Sequence, residues 1–169
     1  MKKLIIISLI TVISLQSFAQ DGGNQGFRIG GGLTVAIPAS KNLKAYSVGV
    51  GLDLLAQYGI TSQFALTGDV GYTTIFAKNK DNDAFNVIPI RGGIRFYPSD
   101  KFYLGGKAGV GILTGNGSSS SGFAYAVGGG FKMDDKLDIG LNYESVTKKI
   151  LNTNYSFGYL GLRLGYFFN

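Results

Sequence analysis

Along most of the chain, bulky apolar residues alternate one for one with small or polar residues, the period of β-strands with one apolar face. The first such stretch sets Phe27, Ile29, Leu33, Val35 and Ile37 against Arg28, Gly30, Gly32, Thr34 and Ala36. The second sets Tyr46, Val48, Val50, Leu52, Leu54 and Tyr58 against Ser47, Gly49, Gly51, Asp53 and Gln57. The third opposes Phe64, Leu66, Val70 and Tyr72 to Ala65, Thr67, Asp69, Gly71 and Thr73. The pattern continues through 88–96, 102–112, 123–132, 137–144 and 160–168, which makes eight predicted strands. One run is out of phase. Tyr155, Phe157 and Tyr159 have the wrong parity for the eighth strand, which predicts a bulge near Gly158 or an upper strand end above the bilayer.

The connections alternate in length. Residues 38–45, 77–84, 114–122 and 148–156 are expected to be longer polar loops, and 59–63, 98–101 and 134–136 tight turns. A membrane barrel sorts its connections in this way, with short turns on one side and loops on the other. The charges then distinguish the two faces. Arg28, Asp53, Asp69, Arg91, Arg95, Lys107, Lys132, Asp138, Glu144 and Arg163 all take the parity opposite the bulky residues. Their companions on that face are mostly Gly, Ala, Ser and Thr, too small to fill the interior of a soluble barrel at native density. Aromatic residues collect toward both strand ends, as two interfacial girdles require. The expected fold is therefore all-β: an eight-stranded antiparallel up-and-down transmembrane β-barrel.

Composition removes most chemistry. The 169 residues include 27 glycines and no cysteine, histidine or tryptophan, with 16 Lys+Arg against 10 Asp+Glu. That excludes a disulfide framework, a zinc–thiolate site, a cysteine nucleophile and any histidine-based triad. Residues 1–19 read as a cleaved signal peptide. Lys2 and Lys3 precede an apolar stretch at 4–15, and Ser17-Phe18-Ala19 places small residues at the cleavage site. A stretch that short falls well below the ~20 residues of a membrane-spanning helix. Residues 20–169 are then the barrel domain.

The signal peptide, the eight alternating strands and the aromatic-rich end Tyr166-Phe167-Phe168 resemble the small outer-membrane barrel family typified by the OmpA barrel and by OmpX. Ile88-Pro89-Ile90-Arg91, leading to Phe96-Tyr97-Pro98, is similar to the Ile-Pro-Leu strand of PorT-like outer-membrane barrels. The architectural resemblance covers essentially all of 20–169 and does not extend to OmpA's attachment to the cell wall. It implies a monomer in the outer membrane of a Gram-negative cell envelope, surrounded by outer-membrane lipid and inserted by the barrel-assembly machinery. An extracellular or envelope partner would meet the longer loops. Enzymes on this scaffold include lipid A deacylases and palmitoyltransferases, but the resemblance does not extend to their catalytic histidines. No enzyme activity, catalytic residue, metal site or cofactor is therefore expected. Nor is a nucleic-acid partner, because half of the strand cations are predicted to face acids inside the lumen.

Turn positions register the hairpins. Centring the first tight turn on Thr61 puts Asp53 opposite Asp69; the next two centres, Ser99 and Asp135, put Arg91 opposite Lys107 and Lys132 opposite Asp138. Adjacent carboxylates repel and need cations, which Arg91 and Arg95 would bring to Asp69. One reading is an ion-pair network that closes the lumen; a sharper one makes Asp53 and Asp69 an acid–base or metal pair. The expected role is structural or surface interaction; the alternatives are a narrow pore for water or small ions and, more distantly, an outer-membrane enzyme of unknown type. Gly105-Gly106-Lys107-Ala108 lacks the remaining elements of a phosphate loop, and the 80–83 stretch lacks the glycine and distal glutamate of a calcium loop.

Overall fold

The computed structural model describes residues 25–79, 83–115, 118–150 and 153–169; the expected signal peptide and residues 80–82 lie outside the described residues. Eight strands follow in order: β1 Gly26–Pro38, β2 Tyr46–Gly59, β3 Phe64–Ala77, β4 Phe85–Phe96, β5 Phe102–Gly115, β6 Ser118–Lys132, β7 Leu137–Ile150 and β8 Thr153–Phe167. A single 3-10 turn, Lys41–Leu43, interrupts the β1–β2 connection. Each strand pairs antiparallel with its neighbours and β8 returns to β1, which closes the barrel. Closure leaves no free edge along the wall, the condition for a sheet to stand in hydrocarbon.

The register sets the barrel's dimensions. Starting at Arg28, directly opposed residues run through Gln57, Thr67, Gly93, Lys107, Ala126, Glu144 and Tyr159 and return to β1 at Pro38. The circuit arrives ten residues further along β1. A stagger of that size over eight strands tilts them by about 40° and gives a radius of roughly 8 Å, just wide enough to be filled by side chains.

All ten strand charges predicted to face inward do so. The opposite face is bare: Leu33, Val50, Leu52, Leu66, Ile90, Val110, Leu141 and Leu162 are all exposed. Exposed aromatic side chains border this band, with Tyr58, Phe64, Phe102, Phe131, Tyr166 and Phe168 at one end and Tyr72, Phe76 and Phe123 at the other.

Four expectations change. The predicted loops at 114–122 and 148–156 are mostly strand: the β5–β6 ladder continues to Gly115 opposite Ser118, and the β7–β8 ladder to Ile150 opposite Thr153. Weak strand formers such as serine and glycine adopt the conformation because the neighbouring strand supplies the hydrogen bonds. β8 has no bulge, because its register with β7 is continuous. Phe157 and Tyr159 instead turn into the lumen, while outward-facing Gly158 lies beneath the Tyr143 ring, where a Cβ would collide with it. Tyr46 also moves inside. A register shift between Tyr46 and Gly49 flips it from the lipid face, and its ring packs 5.7 Å from that of Phe85. Finally, two of the three hairpin registers differ by two residues from those expected: Asp53 opposes Gly71 rather than Asp69, and Arg91 opposes Gly109 rather than Lys107. Lys132 does oppose Asp138.

The lumen as candidate functional site

Inside the barrel the side chains form layers. At the short-turn end, Tyr97 and Tyr103 pack over Ala65, and the Arg28 guanidinium lies 4.0 Å over the Phe167 ring while donating to the Asp135 carbonyl. Above them comes a four-charge group. Arg163 grips Asp53 with both arms of its guanidinium, Nε to Oδ1 at 2.9 Å and Nη2 to Oδ2 at 2.7 Å. Its remaining nitrogen, Nη1, donates to Asp138 Oδ1 at 3.0 Å, and Arg95 Nη1 donates to Asp138 Oδ2 at 3.2 Å. Arg95 also donates to Gln57 Oε1, which accepts from the Tyr97 hydroxyl as well, and its guanidinium stacks 4.2 Å from the Tyr103 ring.

A second group of four sits around Arg91. Its Nε and Nη2 donate to Asp69 Oδ1 and Oδ2 at 3.3 and 2.6 Å, and its Nη1 donates to Glu144 Oε2 at 2.6 Å. Lys107 Nζ reaches Asp69 Oδ2 at 3.4 Å, and the Tyr159 hydroxyl donates to Glu144 Oε2 at 3.1 Å. Each group contains two cations and two carboxylates, so each is neutral by itself. Neutrality within hydrogen-bonding distance offsets the desolvation cost of burying this many charges.

Glycine makes the lower group possible. A Cβ on Gly32 would lie 2.5 Å from the Arg163 guanidinium carbon, and one on Gly165 would collide with both Arg163 and Asp138. Bulky side chains at either position would push the arginine off its carboxylates.

Above the charges the lumen turns apolar. Ala36, Ile75, Phe85, Val87, Leu113, Ala124, Val146 and Tyr159 form one buried cluster, with Tyr46 and Phe157 packed against it. Leu43, from the 3-10 turn, is fully buried in the same cluster. The alternation pattern pointed to an ionic interior; its apolar upper part was signalled by Ile75, Phe85, Val87, Leu113, Val146 and the aromatic run 155–159, all with the parity of the charged face.

The expected side-by-side carboxylates are thus apart, each with its own arginine. Arg91 serves Asp69 as predicted, but Arg95 serves Asp138. Arg163 is the cation that Asp53 uses, reaching from β8 over Gly32 of β1 to β2, a pairing that hairpin registers alone do not reveal. Among the described residues, no cluster of three or more Asp, Glu, His or Cys is arranged to hold a metal ion.

A closed eight-stranded barrel with a lipid-facing aliphatic band and a charged, filled interior is a small transmembrane β-barrel. The chain belongs to the family described as outer membrane protein beta-barrel domain, which matches residues 5–168. Its place is the outer membrane, with the apolar band in contact with lipid. Among solved structures it is similar to Ail, the attachment invasion locus protein of Yersinia pestis, at 20% identity and a TM-score of 0.56 over 84% of this chain and 97% of that one. It is similar to Neisserial surface protein A at 17% identity and a TM-score of 0.54, covering 83% and 96%. The N-terminal barrel domain of Pseudomonas aeruginosa OprF aligns at 11% identity and a TM-score of 0.62, covering 88% and 100%. At these identities the likeness is one of fold. No curated protein sequence matches the chain.

Proposed function

We propose that the protein is a non-conducting, non-catalytic outer-membrane barrel whose role is structural or carried by its external surface. In this reading residues 1–19 are removed, the barrel-assembly machinery inserts the mature chain as a monomer, and the rim that carries the 39–45 connection and Lys78 faces outward. The three turns at 60–63, 97–101 and 133–136 then lie on the periplasmic side, together with the start of β1 and the end of β8.

The observation that carries the proposal is how the lumen is filled: two neutral charge groups below, and an apolar cluster that takes in Leu43 above. A water path would have to breach both. The same neutralised carboxylates argue against acid–base work by Asp53 and Asp69, since each is held by an arginine in a two-point grip. Purified protein in planar bilayers is expected to give no stable conductance steps. Steps comparable to those of a general porin would overturn the reading.

A further inference from the structure

At the outer rim the β1–β2 connection folds back onto the barrel. Leu43 inserts into the apolar cluster, the backbone N–H groups of Ala39 and Ser40 donate to the Gly158 carbonyl at 2.9 and 3.0 Å, and Asn42 Nδ2 donates to the Ser156 carbonyl at 2.9 Å. The next loop is tied to it, because the Lys78 N–H donates to the Ala45 carbonyl at 2.9 Å. These bonds hold Lys41, Lys44 and Lys78, all exposed, around one groove of about 440 Å³. The groove continues onto the lipid face, where Ile37 and Val48 are 57% and 49% exposed. No acidic side chain among the described residues lines it.

A pinned backbone that carries three cations on one groove resembles a site organised before its ligand arrives, which lowers the ordering cost of binding. The chemistry is two-sided. A soluble anion would use the lysines and leave Ile37 and Val48 without a partner. A neutral lipid would cover the apolar wall and offer the three lysines no anion. Only an anionic amphiphile satisfies both, with its charge at headgroup level and its chain along the strands.

We propose that this groove binds a phosphorylated lipid of the outer leaflet, its phosphate held by Lys41, Lys44 and Lys78 and an acyl chain lying along Ile37 and Val48. The proposal rests on the orientation that places these two connections outside. Binding measured in detergent does not depend on that orientation, so the two fail separately. An impermeant amine reagent that labels Lys41 and Lys44 on intact cells reports the orientation.

The test is native mass spectrometry of the protein released from micelles doped with phosphatidic acid, diacylglycerol of the same acyl chains, or glycerol phosphate. Phosphatidic acid should be retained over diacylglycerol by roughly fivefold for each lysine engaged. The triple variant Lys41→Gln, Lys44→Gln, Lys78→Gln should lose that preference, and the matching triple Arg variant should keep it. Lys101→Gln with Lys136→Gln, at the opposite rim, should leave it unchanged. Equal retention of diacylglycerol would overturn the role of the lysines. Equal binding of glycerol phosphate would overturn the role of the apolar wall. A preference that survives the triple Gln variant, or is lost in the triple Arg variant, would remove the site.

Discussion

Replacing Asp138 by asparagine changes the shape of the lumen hardly at all and its charge by one unit. Asp138 is 1% exposed and accepts from Arg163 at 3.0 Å and from Arg95 at 3.2 Å. Asparagine retains one acceptor oxygen but leaves the lower group with two arginines and a single carboxylate. Removing one partner from a buried ion pair costs about 3–5 kcal/mol, most of it the penalty of the charge left behind. Asp53→Asn is the internal comparison: Asp53 has Arg163 as its partner and a side chain 12% exposed, and Arg163 would keep Asp138. The loss there should be smaller, ~1.5–3 kcal/mol. Adding Arg95→Gln to Asp138→Asn restores neutrality, so the double variant should be more stable than the sum of the single effects predicts, by at least ~1 kcal/mol. The assay is urea unfolding in lipid vesicles, with the folded fraction read from the heat-dependent shift in gel mobility, since the chain has no tryptophan to follow. Lys136→Gln, on an exposed turn, supplies the control and should stay within ~0.5 kcal/mol of the parent. An Asp138→Asn variant that behaves like this control would refute the reasoning, because water would then be screening the arginines and the lumen would not be sealed.

Further outcomes follow from the two faces and from one turn. Leu141, 57% exposed and opposite Leu162, points to lipid near the middle of β7; Leu141→Arg should cost ~2–4 kcal/mol in vesicle unfolding, and a negligible cost would contradict its placement. Gly32→Val forces a branched Cβ against the Arg163 guanidinium and should cost ~1–3 kcal/mol, whereas Gly106→Val, where nothing lies within 4 Å of a Cβ, should cost less. Asp134 accepts from the Lys136 and Leu137 N–H groups at 2.7 Å each, and these bonds hold its carboxyl below the ordinary 3.8. Its folded pKa is therefore the lower one, so its contribution is present above the unfolded value and disappears as pH falls through the folded value. The stability gap between the parent and Asp134→Asn should be open at neutral pH and close as pH falls below the ordinary carboxylate range, as read from urea midpoints; a pH-independent gap would remove the carboxylate from that role.

Alternation along the chain was enough to determine the fold class, the number of strands and the face on which each charge lies. Arg163 faces inward because Leu162 and Leu164 face lipid, and no tertiary information is needed to see it. The partners of those charges were not legible in the same way. Side chains repeat every two residues along a strand, so a two-residue slip leaves every residue on its proper face. The local pattern is therefore indifferent between Asp53 opposite Asp69 and Asp53 opposite Gly71. The turn decides: Ile60 and Thr61 both donate to the Phe64 carbonyl and Thr61 Oγ1 accepts from the Gln63 and Phe64 N–H groups, which moves the pairing centre one residue on. Likewise the inward turn of Phe157 and Tyr159 breaks the small-residue rule of the lumen, and only the unshifted β7–β8 ladder shows that the aromatics fill it. Closure does the rest. The ten-residue stagger brings β8 beside β1 and lets Arg163 reach Asp53 on β2, a contact 110 residues apart in the chain. Which side chains face in is a property of each strand; which of them meet is a property of the closed circuit, because the stagger accumulates over all eight strands before the first meets the last.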